Sequence, residues 1–202
     1  MTKVIGVLDL GKLSNLLSIS NAIKKIGCQP KIISHYKEIY KCKNVIIPGV
    51  GSFSEGMKQL KKSKFDIAIK ETGNDIKFLG ICLGMQFFAK DSNEFKNTNG
   101  LNIINCNVKK ITHLKKLPVI GFSKIQFKPK NLFFKINKNS EFYFMHSFHL
   151  KNLNKKYVTS YVNYNGKEIV SSFKFNNFYG VQFHPEKSRE VGLLIIKNFI
   201  NE

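Results

Sequence analysis

Asp75-Ile76-Lys77-Phe78-Leu79-Gly80-Ile81-Cys82-Leu83-Gly84-Met85-Gln86-Phe87-Phe88-Ala89 decides the fold. The run from Asp75 to Ile81 reads as a buried strand, and Met85 to Ala89 opens a helix. Between them stands Cys82, with Gly80 and Gly84 two residues away on either side, the spacing of a nucleophile elbow. So tight a turn requires glycines, because neighbouring Cβ atoms would collide. It lifts the sulfur out of the sheet's carboxyl edge and places it at a helix N-terminus, which favours a thiolate. The Leu83 N–H then points to where an oxyanion would form. A buried cysteine in an ordinary strand-to-helix turn has the same local pattern, so the motif needs partners elsewhere in the chain.

Upstream, short apolar runs alternate with amphipathic stretches. Val4 to Leu8 reads as a strand and Leu16 to Ile26 as a helix ended by Gly27. Lys31 to Ser34 and Asn44 to Ile47 are further strands, the second stopped by Pro48-Gly49, and helical spacing runs from Ser54 to about Glu71. Strands alternating with helices imply right-handed crossovers and a mostly parallel sheet flanked by helices. Downstream the runs become β-rich: Val119 to Phe127, Phe142 to His146, Tyr157 to Tyr164, Glu168 to Phe173 and Phe178 to Phe183. Asn165-Gly166 is a hairpin signal, and a closing helix spans about Glu190 to Ile200. The fold class is therefore α/β with an added antiparallel β segment, in one domain over residues 1–202.

Two more stretches carry chemistry. In Gly180-Val181-Gln182-Phe183-His184-Pro185-Glu186, His184 ends a strand and Glu186 follows across Pro185, placed to orient the imidazole. Directly after the third strand, the two glycines of Pro48-Gly49-Val50-Gly51-Ser52-Phe53 permit a loop that aims N–H groups at an anion. It matches neither a Walker sequence nor GxGxxG. A nucleophile elbow, a base with its orienter and an anion-binding loop together outweigh the bland reading of each one.

The formal net charge of +20 is the most conspicuous bulk property. The lysines are scattered (Lys24-Lys25, Lys61-Lys62, Lys109-Lys110, Lys155-Lys156), in a chain rich in Asn and Ile and lacking Trp. Scatter reads as compositional bias rather than a nucleic-acid surface, leaving solubility and attraction to an acidic protein as consequences. No apolar run is long enough for a bilayer. Cys28, Cys42, Cys82 and Cys106 form no close-spaced metal pair and read as free thiols in the cytoplasm. No metal or cofactor is expected.

PGVGSF at Pro48–Phe53, GICLGMQ at Gly80–Gln86, FYFMHSF at Phe142–Phe148 and VQFHPEKS at Val181–Ser188 occur in the order of one family. The chain resembles the class I (triad) glutamine amidotransferases. Within them it is similar to the branch of glutaminase subunits of imidazole glycerol phosphate synthases. The resemblance implies that Cys82 attacks the side-chain amide of glutamine, His184 shuttles protons and Glu186 orients His184. It implies an oxyanion hole from Leu83 and the loop Gly49-Val50-Gly51, after a peptide rearrangement around Val50. Gln86 and the His146-Ser147-Phe148 segment match positions that hold the substrate. Lys187 matches a position at the interface with a (β/α)8-barrel cyclase, to which ammonia would pass to yield imidazole glycerol phosphate and aminoimidazole carboxamide ribotide for histidine biosynthesis.

The chain departs from that pattern twice. Where the family usually opens Asp-Tyr-Gly-x-Gly-Asn-Leu, Asp9-Leu10-Gly11-Lys12-Leu13-Ser14-Asn15-Leu16 fits only with one inserted residue. Pro118-Val119-Ile120-Gly121-Phe122-Ser123 lacks the His, Trp and Asn of the family's Pro-His-Met-Gly-Trp-Asn. Both leave a second reading open, a paralogue serving a surface-sugar amidating synthase.

Overall fold

The structure is a computed structural model that describes residues 2–202. In chain order the strands are β1 (Val4–Leu8), β2 (Gln29–Ile33), β3 (Asn44–Ile47), β4 (Lys77–Ile81), β5 (Asp91–Ser92), β6 (Thr98–Asn99) and β7 (Asn107–Lys110). They continue with β8 (Val119–Phe127), β9 (Glu141–His146), β10 (Phe148–Lys151), β11 (Val158–Tyr164), β12 (Lys167–Phe175) and β13 (Phe178–Val181). The helices are α1 (Leu16–Lys25), α2 (Phe53–Lys62), α3 (Phe65–Glu71), α4 (Leu83–Gln86) and α5 (Arg189–Asn201).

One sheet runs β2-β1-β3-β4-β13-β12-β11-β8-β9. Its pairs from β2 to β13 are parallel, and those from β13 onward are antiparallel. A smaller sheet, β10-β7-β5-β6, lies beside it. Alternation along the parallel strands divides the core by face. Leu8, Val45, Ile47 and Phe78 pack with the buried stripes of α2 and α3, while Ile5, Val7, Ile46 and Leu79 pack with those of α1 and α5. The Asn165-Gly166 turn joins β11 to β12 with both residues at positive φ, the geometry of a two-residue hairpin loop.

Two sequence readings shift, and one small sheet had no reading. The helical stretch from Ser54 to Glu71 is two helices, broken where Lys64 adopts a φ of 57°. The buried stripe Phe53, Met57, Leu60 would next reach position 64, but the apolar residue stands at Phe65, so the chain turns to bury it. The helix expected at Met85 to Ala89 instead begins at Leu83 and ends at Gln86. Phe87, Phe88 and Ala89 are all fully buried, which one helix face cannot achieve. Their carbonyls accept from the N–H groups of Leu101, Asn102, Ile103 and Ile104 instead. The small sheet was not read, since two-residue strands such as β5 and β6 carry no periodicity.

What positions the functional stretches is register. Gly80 pairs with Gly180 and Ile81 with Val181, while Ile47 pairs with Gly80. The elbow, the histidine stretch and the glycine loop therefore leave one carboxyl edge from three adjacent parallel strands, the usual location of a site in such sheets.

Candidate active site

Cys82 has φ 54° and ψ −109°, a conformation that costs a non-glycine residue about 1–3 kcal/mol. The surroundings hold it there: its N–H donates to the Val181 carbonyl at 2.8 Å, and its carbonyl accepts from Met85 and Gln86. A Cβ on Gly80 would lie 2.6 Å from the Gly84 carbonyl oxygen, and one on Gly84 would run into the Ile47 carbonyl. The helix behind the sulfur is a single turn of four residues, so few peptide dipoles add up there. The expected support of the thiolate by that helix is correspondingly small.

His184 Nδ1 lies 2.9 Å from Glu186 Oε1, with side chains 2% and 1% exposed. The backbone fixes the pair, since His184 N–H donates to the Tyr143 carbonyl on β9 and Ser188 Oγ donates to the His184 carbonyl. Nε2 has no hydrogen-bond partner within ordinary geometry. Burial opposes the charged imidazole, but the Cys82 sulfur and then the Glu186 carboxylate outweigh it and raise the His184 pKa to about 10.

Val50, Gly51, Leu83, Gln86, His146, Ser147 and Phe148 line one cavity of about 510 Å³ with Cys82. Gly49 packs beneath it, where a Cβ would meet the Leu83 Cβ at 2.8 Å. The Val50 N–H does not face the sulfur's side; it donates to the Leu13 carbonyl at 2.9 Å. Leu13 ends a 3-10 turn, Gly11–Leu13, in the stretch where the sequence departs from the family's opening pattern. Asp9 Oδ1 and Ser14 Oγ brace the turn by accepting from Gly11 N–H and Leu10 N–H.

The remaining residues expected to hold substrate divide into two sets. Gln86 spends both amide hydrogens inside the protein, on the Phe148 carbonyl and on Gln182 Oε1, each at 3.1 Å. His146 is buried, with Nδ1 2.9 Å from the Phe148 carbonyl and Nε2 3.1 Å from the Tyr164 hydroxyl. A carbonyl only accepts, so Nδ1 carries the proton and Tyr164 donates to Nε2. His146 thus shapes the wall from behind. Ser147 and Phe148 form its surface. Lys187 is exposed, outside the cavity lining, with its ammonium 5.5 Å from the Tyr143 ring centroid. Beside it Arg189 covers the Phe122 ring, and Ile120 is 61% exposed.

Burial holds the His146 pKa down at about 4. A lowered histidine contributes stability that is complete above its unfolded value near 6.5 and is lost as pH falls toward 4. The full effect is on the order of 3 kcal/mol, of which about 2 kcal/mol is gone by pH 5. His184, being raised, is silent in that window, because its contribution fades only as pH climbs toward 10. His149, lowered by burial, adds in the same direction as His146. Thermal midpoints at pH 7 and pH 5 should therefore fall further in the parent than in His146→Gln, by about 4–8 °C. Equal falls would remove His146 from the acid response.

Four groups escaped the sequence reading. Gln182 is fully buried and its Nε2 lies 3.6 Å from Cys82 Sγ; the Met145 carbonyl lies 3.7 Å from the same sulfur. Glu94, whose Oε2 accepts from Phe53 N–H, lines the cavity, as does Lys110. Glu94 stands in a stretch with no periodicity, and only its charge beside an apolar surface could have flagged it. Among the described residues no three His, Cys, Asp or Glu side chains converge to hold a metal, and no helix is long and apolar enough to cross a membrane.

Known proteins match this chain over nearly its whole length. Residues 7–202 match the family model described as Glutamine amidotransferase class-I. The chain is 41% identical to "Imidazole glycerol phosphate synthase subunit HisH" of Blochmanniella pennsylvanica, covering 93% of this chain and 94% of that one. It is 38% identical to the protein of the same name from Methanocaldococcus jannaschii, over 98% of each. The solved structure of PurLQS from Thermotoga maritima superposes with a TM-score of 0.75, covering 100% of this chain and 99% of that one. At 16% identity that likeness is one of fold. The chain belongs to the class-I glutamine amidotransferases, in the family of HisH subunits of imidazole glycerol phosphate synthase.

Proposed function

We propose that this chain, acting as one domain, hydrolyses glutamine to glutamate and ammonia through Cys82, His184 and Glu186. The observation that carries the reading is the parallel register of β4 on β13, which sets the elbow beside the stretch that ends in His184, close enough for the Cys82 sulfur to raise the imidazole's pKa. Cys82 Sγ attacks the amide carbon of the glutamine side chain, and the carbonyl oxygen takes up the negative charge. His184, protonated, gives its Nε2 proton to the amide nitrogen, so the C–N bond breaks and ammonia leaves a glutamyl thioester. Nε2 then takes a proton from water, whose oxygen attacks the thioester and releases glutamate. Glu186 holds Nδ1–H so that Nε2 faces the sulfur.

The Leu83 N–H, first of its helix and without an intrahelical acceptor, supplies one oxyanion donor. The second is the Val50 N–H, once the peptide swings away from Leu13. Glu94 and Lys110, opposite charges lining the cavity, complement the ammonium and carboxylate of a free amino acid. Ser147 and Phe148 form the wall along its side chain.

Ammonia then passes to a (β/α)8-barrel cyclase that makes imidazole glycerol phosphate and aminoimidazole carboxamide ribotide, in the cytoplasm. The names of the relatives support this recipient. The surface of Ile120, Phe122, Tyr143, Lys187 and Arg189 is apolar, aromatic and cationic, a composition suited to a protein partner. Affinity capture of the tagged chain from its own cells, with mass spectrometry of what co-purifies, tests the recipient. A barrel cyclase in near-equal amount is the expected result; a surface-sugar synthase in its place would overturn it.

A further inference from the structure

Behind Cys82 lies a buried amide relay. The Phe148 carbonyl accepts from one hydrogen of Gln86 Nε2, and Gln182 Oε1 accepts from the other. Gln182 Nε2 then faces Cys82 Sγ at 3.6 Å. The polarity of this chain is not free to reverse. A backbone carbonyl can only accept, so Gln86 must turn its NH2 group toward it. The second hydrogen of that group needs an acceptor, which fixes the oxygen of Gln182. Turning Gln182 over would set two NH2 groups against each other in a site where Gln182 is 0% and Gln86 4% exposed, and an unmade buried hydrogen bond is costly. A donor therefore points at the sulfur. On its other side stands the Met145 carbonyl at 3.7 Å, an acceptor that suits only the S–H form.

We infer that Gln182 is a positioning residue that donates to the ionised sulfur of Cys82, its direction imposed by the Phe148 carbonyl through Gln86. The inference rests on the reading of Cys82 as the nucleophile. It supplies what the one-turn helix α4 does not: a buried donor fixed before substrate arrives. The titratable groups around the sulfur are His184 from the stretch after β13, and His146, Glu94 and Lys110, which line the same cavity. Substitution at Gln182 changes none of them.

The test is the pH dependence of iodoacetamide alkylation on the full chain, read peptide by peptide. Alkylation consumes the thiolate, forming an S–C bond and releasing iodide. Cys28, half-buried, serves as the reference in the same sample. In Gln182→Met, which keeps the volume and removes the donor, the Cys82 midpoint should rise by about one pH unit, with about tenfold slower labelling below it. Gln182→Glu should raise it further, because an anionic acceptor replaces the donor. Gln86→Met, which leaves the sulfur's own contacts in place, should raise it less. A loss of packing alone would not move the midpoint relative to Cys28. If Gln182→Met does not fold, the other two variants decide. Midpoints superimposable on the parent's in the variants that fold would overturn the inference, even with Cys82 proven essential. Glutamine turnover by Cys82→Ala would instead overturn the nucleophile reading beneath it.

Discussion

Cys82→Ala should abolish glutamine-dependent synthesis in the complex with its partner while leaving synthesis from ammonium salts intact. The expected loss is on the order of 10⁴- to 10⁶-fold in turnover, the range seen when a triad member is removed. The size follows from the chemistry: without the sulfur no thioester forms, and water must attack an unactivated amide. His184 and Glu186 remain, but with no sulfur bound to the amide carbon there is no leaving nitrogen ready to take the Nε2 proton. The side chain removed is buried at the end of β4, yet its loss should spare the fold, because alanine keeps the same Cβ and the sulfur makes only long contacts, at 3.6 Å to Gln182 and 3.7 Å to the Met145 carbonyl. Measuring both ammonia sources on one preparation separates chemistry from misfolding. Surviving glutamine turnover would transfer the nucleophile's role elsewhere.

The second large effect concerns the loop after β3. Alone, the chain should turn over glutamine about 10²- to 10³-fold more slowly than in the complex, the cost of one missing oxyanion donor. Val50 N–H is bonded to the Leu13 carbonyl, so one of the two oxyanion donors proposed above is turned away. Reversing that peptide sacrifices a hydrogen bond, and a partner can meet that cost only by binding the turned form better. By reciprocity, an analogue that binds more tightly in the presence of the partner should tighten the partner's grip by the factor by which the partner tightens its own. Deleting Lys12 offers a direct probe, since it shortens the 3-10 turn that presents the Leu13 carbonyl. The variant should show a raised basal rate and a smaller response to the partner. Full activity of the parent chain alone would sink the latch.

How much of this was legible depended on the range of each interaction. Cys82, His184 and Glu186 were readable because each announces itself locally, by glycines at fixed offsets or by a carboxylate two residues past a strand-end histidine. The structure pairs His184 with Glu186 and sets their stretch on the strand beside the one that ends at Cys82. The parallel half of the sheet was readable from alternation, and the β11–β12 hairpin from Asn165-Gly166. Gln182 was not, although it stood inside a quoted motif. Its meaning comes from Gln86 and Phe148, and no sequence period encodes a contact 96 residues long. The same holds for the Val50–Leu13 bond, which joins two loops through backbone atoms alone. The helix after the elbow was overextended because Phe87 and Phe88 have helical propensity enough, and only burial on all sides forbids the continuation.

The place of β13 has a consequence for how the protein is made. Cys82 and Gln182 are 100 residues apart, yet their strands are neighbours near the middle of the sheet. Until Phe178–Val181 leaves the ribosome, β4 has one open side, and β12 waits for the same strand from the opposite direction. So the two halves of the sheet stay unjoined through most of synthesis, exposing an apolar edge that invites wrong pairing. Contacts of such separation form slowly, which makes this strand the closing piece of folding. On the chemistry proposed above, the nascent chain carries its thiol long before it carries a base to ionise it, and so gains reactivity only in the act of completing its fold.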